Sequence, residues 1–338
     1  MKPAIPIYIT AASQISIQEP LCDKWMSEPR IGLSGYNEAI DPAFKEWMSP
    51  GEARRLGKIM KRAVVTSTEC MKASGVTMPD AIITATGLGC VKNTELFLTD
   101  LCTQGESLLK PTQFMQSTHN TIGSLIAILN KCHGYNVTYA QGDMSTDVAL
   151  LDAVTQLSLG DISTALVGAH DEMTPNYYTL LKRSGYYGVE SMVSSAEVAV
   201  SFMLSTQHGK HPLCTIDSIS VLHKPTVESI RTCTEKFGQI DCIIAGYNGK
   251  CDYDSKYDDI ISHLTDDDTP VLQYKNLFGE SMTASALGLY AASRIISTDK
   301  IHDSMLRSGR KPSNINSILV INSSGNDVSF IKLSKVSL

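Results

Sequence analysis

The sequence predicts an α/β fold with a mostly parallel central sheet, assembled from two similar halves. Two observations carry this. Short β-prone runs alternate with apolar helical segments along the chain, the pattern of strand and helix units wound around a parallel sheet. A second signal is an internal echo: GDMSTDVALLDA, opening at Gly142, aligns with GESMTASALGLYA, opening at Gly279, so that Asp143 falls on Glu280. That separation is longer than any solenoid period and reads as a duplicated half rather than a short repeat. The halves are placed at residues 1–208 and 209–338, divided at the turn Gly209-Lys210-His211-Pro212.

Residues 7–10 read as a first strand, followed by an irregular stretch over 22–50. Ser49-Pro50 then opens a helix carrying Arg54, Arg55, Lys58, Lys61 and Arg62 opposite Met60, Ala63 and Val64. A basic face of this kind is solvated or meets an acidic partner. A buried strand over 80–86 ends in Gly87-Leu88-Gly89, and Lys110-Pro111 precedes one helix rich in small residues and closed by Gly134.

Residues 136–172 organise the rest. A strand over 137–139 meets a sharp turn at Ala140-Gln141-Gly142. From Asp143 to Leu157, Val148, Leu151, Val154 and Leu157 stand beside Ala149, Leu150 and Ala153, a helix apolar on most of its circumference that belongs in the core. A strand over 162–167 follows, with His170, Asp171 and Glu172 read as a pocket mouth or a polar loop. Strands at 197–205, 216–221, 243–245 and 318–321 and a helix at 228–237 complete the pattern.

Within 338 residues, 43% are hydrophobic, ample for a large core, and the formal charge is −6. No basic stripe points to nucleic acid. The opening MKPAIPIYITAASQI is too short and interrupted for a signal peptide or membrane span, which suggests the cytoplasm. Nine cysteines without a CxxC pair read as reduced thiols. Asp252 with Asp254 and His208 with His211 lack further ligands, so no metal or other cofactor is expected.

Asp143 occupies the turn where helix N–H groups lack partners, a position used both by helix caps and by nucleophiles. Cys90 and Cys251 sit beside turn glycines but neither is expected to open a buried helix, so both are read as inert. His119 is read as a structural residue of a packed helix or an acid or base.

Several segments, taken in order, resemble the β-ketoacyl synthases of the thiolase fold, particularly those related to aryl polyene and type II polyketide assembly. PTQFMQSTHNTIGSLIAI is similar to the family's Ser-x-His-Asn helix, and QLSLGDISTALVGAHDE to the unit after the nucleophile. SSAEVAVSFML is similar to the Glu-containing strand, YKNLFGESMTASALGL to the Lys-x-x-x-Gly-His segment, and INSSGNDVSFIKL to the closing Asn-Ser-Phe-Gly strand pair. The resemblance implies two thiolase-like halves in αβαβα layers. Carried over by position, it puts Asp143 at the catalytic cysteine, Asn248 and Glu280 at the two histidines, and Lys275 at the lysine. Gln141, His119, Met144 and Met282 are the implied substrate-binding residues, with Met115 as further apolar lining.

Condensation needs a thiolate, since sulfur both attacks and leaves readily, and the histidines donate to the thioester oxygen as charge develops. An aspartate would give a hydrolysable anhydride, and an ionised Glu280 would repel the enolate. Such a chain resembles the chain-length-factor subunits, which implies a heterodimer with a catalytic ketosynthase subunit and an acyl carrier protein as partner in fatty acid, aryl polyene or polyketide elongation. The segment FMQSTHNTIGSL is the expected interface. The alternatives are a stand-alone acyl-thioester decarboxylase or hydrolase using Asp143 and Glu280, a divergent 3-oxoacyl carrier-protein synthase, or a homodimeric acyl-binding protein.

Overall fold

The computed structural model describes residues 1–186, 193–264 and 269–336. Its first half opens with β1 (Tyr8–Ile15) and the short β2 (Tyr36–Asn37). Ser49 caps α1 (Pro50–Ala53) through a reciprocal pair of bonds with Glu52, a capping box. That helix lasts one turn, so most of the basic face belongs to a separate helix, α2 (Lys58–Ser74). There follow β3 (Ala81–Ala85), α3 (Val91–Gln104), α4 (Pro111–Ser117), α5 (Thr121–Leu129) and β4 (Tyr135–Tyr139). The half closes with α6 (Ser145–Leu159), β5 (Thr164–Asp171), α7 (Pro175–Arg183), β6 (Ser195–Ala196) and β7 (Val198–Ser205).

The second half contains β8 (Cys214–His223), α8 (Val227–Thr234), β9 (Cys242–Ala245), α9 (Cys251–Ser262) and β10 (Val271–Gln273). After these come α10 (Lys275–Phe278), α11 (Ser285–Thr298), β11 (Leu306–Ser308), β12 (Ser317–Ser324) and β13 (Asp327–Ser334).

The main sheet runs β11-β10-β9-β12-β13-β8-β1-β7-β5-β3-β4. The row β1-β7-β5-β3-β4 and the row β8-β13-β12-β9-β10 have one plan. In each, the second strand is antiparallel to both neighbours and the outer pairs are parallel. The sheet is therefore mixed, because β7 and β13 run against the strands on either side of them. The rows meet where Tyr8 pairs with Thr215 and Ile9 with Cys214.

Five layers result. Helices α2 and α5 cover the outer face of the first row around Ile59, Val65, Ile82, Leu166 and Met203. Between the rows lie α6 and α11, α6 touching β3, β5 and β8 and α11 touching β1, β7 and β12. The α6 residues Ala149, Leu150, Ala153, Val154 and Leu157 are all fully buried there, as their spacing predicts. Around α8 and α9, Phe237, Tyr257, Leu319 and Phe330 form the far layer. Burying these side chains on both faces explains why α6 reads as apolar on most of its circumference and the central strands as apolar runs.

Four expectations are corrected. Arg62 is not solvated: it is fully buried, 2.6 Å from Glu197 and 2.5 Å from Asp41. The single helix expected over 114–134 is two, broken at Thr118-His119-Asn120; the first opens already at Pro111 and the second ends at Leu129 rather than at Gly134. His170 and Asp171 are not in a loop but in β5, both buried. Finally, Asp252 and Asp254 stand in the first turn of α9 instead of a solvated loop. There Asp254 accepts the N–H groups of Asn248 and Gly249 at 2.9 and 3.2 Å, which suits a carboxylate at a positive helix end.

Candidate functional site

Asp143 lies in a 3₁₀ turn, Gly142–Met144, between β4 and α6. It does not act as a cap: Met144 holds the cap position of α6 and no side chain bonds there. The carboxylate instead reaches across the halves. Its Oδ1 accepts the Tyr186 hydroxyl at 2.8 Å and its Oδ2 accepts the Ser324 hydroxyl at 2.7 Å. Asn322 Nδ2 fixes the turn by donating to the Asp143 carbonyl at 2.9 Å and to Asp147 Oδ2 at 2.8 Å. Asp147 also accepts Ser285 and Ser329, tying α6 to α11 and β13. Burial pushes its carboxyl up, while those hydrogen bonds oppose the shift.

Glu280 follows Gly279, whose φ of 81° and approach to Ala196, where an added Cβ would stand 2.4 Å from that side chain, exclude any larger residue. Contrary to expectation, Glu280 does not open a helix. It is bridged to β6, its N–H bonded to the Ser194 carbonyl at 2.7 Å and its carbonyl to the Ala196 N–H at 3.0 Å, five residues ahead of α11. Its carboxylate is paired with Lys275 Nζ at 2.8 and 2.9 Å and accepts Asn248 Nδ2 at 3.0 Å, all three residues being buried. Burial by itself would lower the Lys275 pKa, but Glu280, with Tyr274 and Tyr257, holds it above the ordinary lysine value. The negative charge expected to repel an enolate is thus already compensated.

Lys250 joins these groups. Its Nζ donates to the Tyr186 carbonyl and lies 5.7 Å from that ring. Burial lowers its pKa, and the charges of Glu280, Lys275 and Asp143 act on it in turn, so both carboxylates lie within electrostatic reach of one ammonium. The two carboxylates nevertheless have separate hydrogen-bond donors.

The remaining expected residues are dispersed. His119 is exposed in the turn between α4 and α5, beside Gly89, and is not packed inside a helix. Gln141 is exposed and gives its N–H to Ser145. Met144 is buried with its sulfur 3.6 Å from Asn322 Nδ2, and Met282 packs on Gly87. Met115 is 69% exposed. Cys90 holds the N-cap position of α3 without a side-chain cap bond and Cys251 begins α9, but α3 buries only Val91 and α9 only Asp254, Tyr257 and Ile260, so neither opens a buried helix. Burial, with the charges of Glu172 and Asp171, still pushes the Cys90 thiol up to about 12. His170 has no hydrogen-bond partner for either ring nitrogen among the described residues, and burial lowers its pKa to about 3.

Sequence reasoning missed Tyr186, Lys250, Asn322 and Ser324. Of these, Ser324 was readable, since the closing segment has serine where its relatives' Asn-Ser-Phe-Gly motif has phenylalanine. Tyr186 sits in a stretch with no periodicity.

The family model for the beta-ketoacyl synthase N-terminal domain matches residues 23–244. The chain belongs to the β-ketoacyl synthase family. No curated protein matches it. Among solved structures, it is similar to "the ishigamide ketosynthase/chain length factor", with a TM-score of 0.79 and 15% identity over 98% of this chain and 100% of the other. A beta-ketoacyl synthase from Burkholderia phymatum gives 0.80 and 12% over 100% of both chains. A chain from the ketosynthase ApeO in complex with its chain length factor ApeC, from Xenorhabdus doucetiae, gives 0.73 and 13% over 98% of each. At such identities these likenesses establish the thiolase-like ketosynthase fold. Among the described residues no helix is long and apolar enough to cross a membrane.

Proposed function

We propose that this chain is a non-condensing ketosynthase-like subunit, a chain length factor, that pairs with a catalytic ketosynthase and shapes the pocket for an acyl chain delivered by a carrier protein. One observation carries the reading. At the positions that resemble the family's cysteine and two histidines stand Asp143, Asn248 and Glu280, and Asn248 and Lys275 spend their donors on Glu280 rather than facing a thioester oxygen. The set lacks both the sulfur nucleophile and the free donors that condensation requires.

The surface supports a partner. Strand β4 is the last in its row, paired among the described residues with β3 alone. An open edge of this kind recruits another strand unless covered. On α5, which packs against β4, and on the neighbouring α4, Phe114, Met115, Ile128 and Leu129 are exposed apolar residues, three of them more than half exposed. Co-expression with a homologue retaining Cys-His-His tests the proposal by native mass spectrometry: a one-to-one heterodimer is expected, and a chain that remains monomeric or homodimeric refutes it.

The acid and base pairing of Asp143 with Glu280 finds less support, because Glu280 is neutralised by Lys275.

A further inference from the structure

We propose that Ser324 and Asp143 form an acyl-transfer dyad, the Ser324 hydroxyl taking an acyl group from a thioester while Asp143 accepts its proton. The inference goes beyond the pairing role and does not depend on it.

The geometry is that of a nucleophile, a base and an orienting group. Ser324 Oγ donates to Asp143 Oδ2 at 2.7 Å, and the Tyr186 hydroxyl holds Oδ1 at 2.8 Å, so Oδ2 is directed at the serine. Both partners are fixed. Ser324 ends β12, paired opposite Asp327 in the hairpin to β13, while Asn322, two residues earlier, grips the Asp143 carbonyl. Exposure separates this contact from mere tethering: Ser329 and Ser285 bond to Asp147 in the same way, but that carboxylate is fully buried, whereas Ser324 and Asp143 are both partly open. Lys250, held against Tyr186, supplies positive charge beside the dyad for a developing oxyanion.

The step balances without an added reagent other than water. Ser324 Oγ bonds to the thioester carbonyl carbon and its proton passes to Asp143. The carbon–sulfur bond then breaks, and the departing thiolate takes that proton as it leaves as a thiol. Water next gives a proton to Asp143 and adds to the ester carbon, and Ser324 Oγ leaves with that proton. The net reaction is thioester plus water to acid plus thiol. An oxygen ester is a poorer acyl donor than a thioester, so the dyad suits release of acyl chains rather than carbon–carbon bond formation.

The full chain treated with octanoyl-coenzyme A, and separately with an alkyl fluorophosphonate, should gain one adduct by intact mass, located by peptide mapping to Ser324. Ser324→Ala should lose it, and Asp143→Asn should slow its formation by about tenfold or more, with both variants keeping the wild-type urea midpoint. Ser324→Cys should restore thioester labelling if Ser324→Ala misfolds. An unlabelled folded wild type, or an adduct that persists in Ser324→Ala, overturns the proposal. Intact co-purification with a catalytic subunit alongside failed labelling would remove the dyad and leave the pairing role standing.

Discussion

Replacing Lys275 by methionine tests the site's electrostatics most directly. The substitution keeps an unbranched side chain but removes the ammonium from a pair whose side chains are 4% and 8% exposed, leaving Asn248 as the remaining side-chain donor to Glu280 among the described residues. A carboxylate stranded in such a place typically costs about 3–5 kcal/mol, whereas replacing both members of a buried pair by neutral groups of similar volume is close to neutral. The double variant Lys275→Met with Glu280→Gln should therefore recover most of what Lys275→Met loses, an interaction term of about 2–3 kcal/mol in the cycle. Urea unfolding of the wild type, both single variants and the double variant measures it. If the double variant is no more stable than Lys275→Met, the pair does not compensate Glu280's charge, and the argument that the site is electrically balanced fails.

Burial raises Glu172 to about 7 from 4.5, against the Lys92 N–H and Arg62 and with the charges of Glu197 and Asp171. The fold thus retains a proton that the unfolded chain releases, and stability falls as pH rises from about 4.5 through about 7. Glu172→Gln, which can still accept from Lys92, should be more stable than wild type by up to about 3 kcal/mol at pH 8 and nearly equal at pH 4.5; a difference that does not vary with pH contradicts this. An added methyl at Gly246 would stand 2.7 Å from the Tyr257 hydroxyl and 3.0 Å from that of Tyr274. Gly246→Ala should accordingly lose about 1–3 kcal/mol by overpacking, read as a lower urea midpoint. Met115→Asp together with Ile128→Asp, at residues 69% and 74% exposed, should leave the chain's own unfolding within about 0.5 kcal/mol. The same pair should weaken heterodimer formation at least about tenfold by desolvating two charges at the contact, measured by titration against the catalytic subunit.

Several features of the fold could be read from local pattern. Helix α6 announced itself because Ala149, Leu150, Ala153, Val154 and Leu157 make it apolar on most of its circumference, which suits a helix between two sheets. The echo at Gly142 and Gly279 likewise anticipated two rows of strands with one order. Arg62 went the other way: in sequence it extends a run of basic residues, and nothing local reveals that Glu197, 135 positions on, is packed against it. The break at His119 was hidden for a similar reason, since small and β-branched residues on either side continue a helical pattern that the chain itself abandons.

By itself the sequence determined the family, the alternation of strands and helices, and the absence of sulfur and imidazole at 143, 248 and 280, because residue identity and periodicity are local quantities. Tertiary structure alone decided that Asp143 turns away from its helix toward Tyr186 and Ser324, and that Glu280 is held by Lys275 and Asn248. Those bonds join segments up to 181 residues apart. A carboxylate's chemistry depends on which donors surround it, and that is settled only when the two halves close on one another.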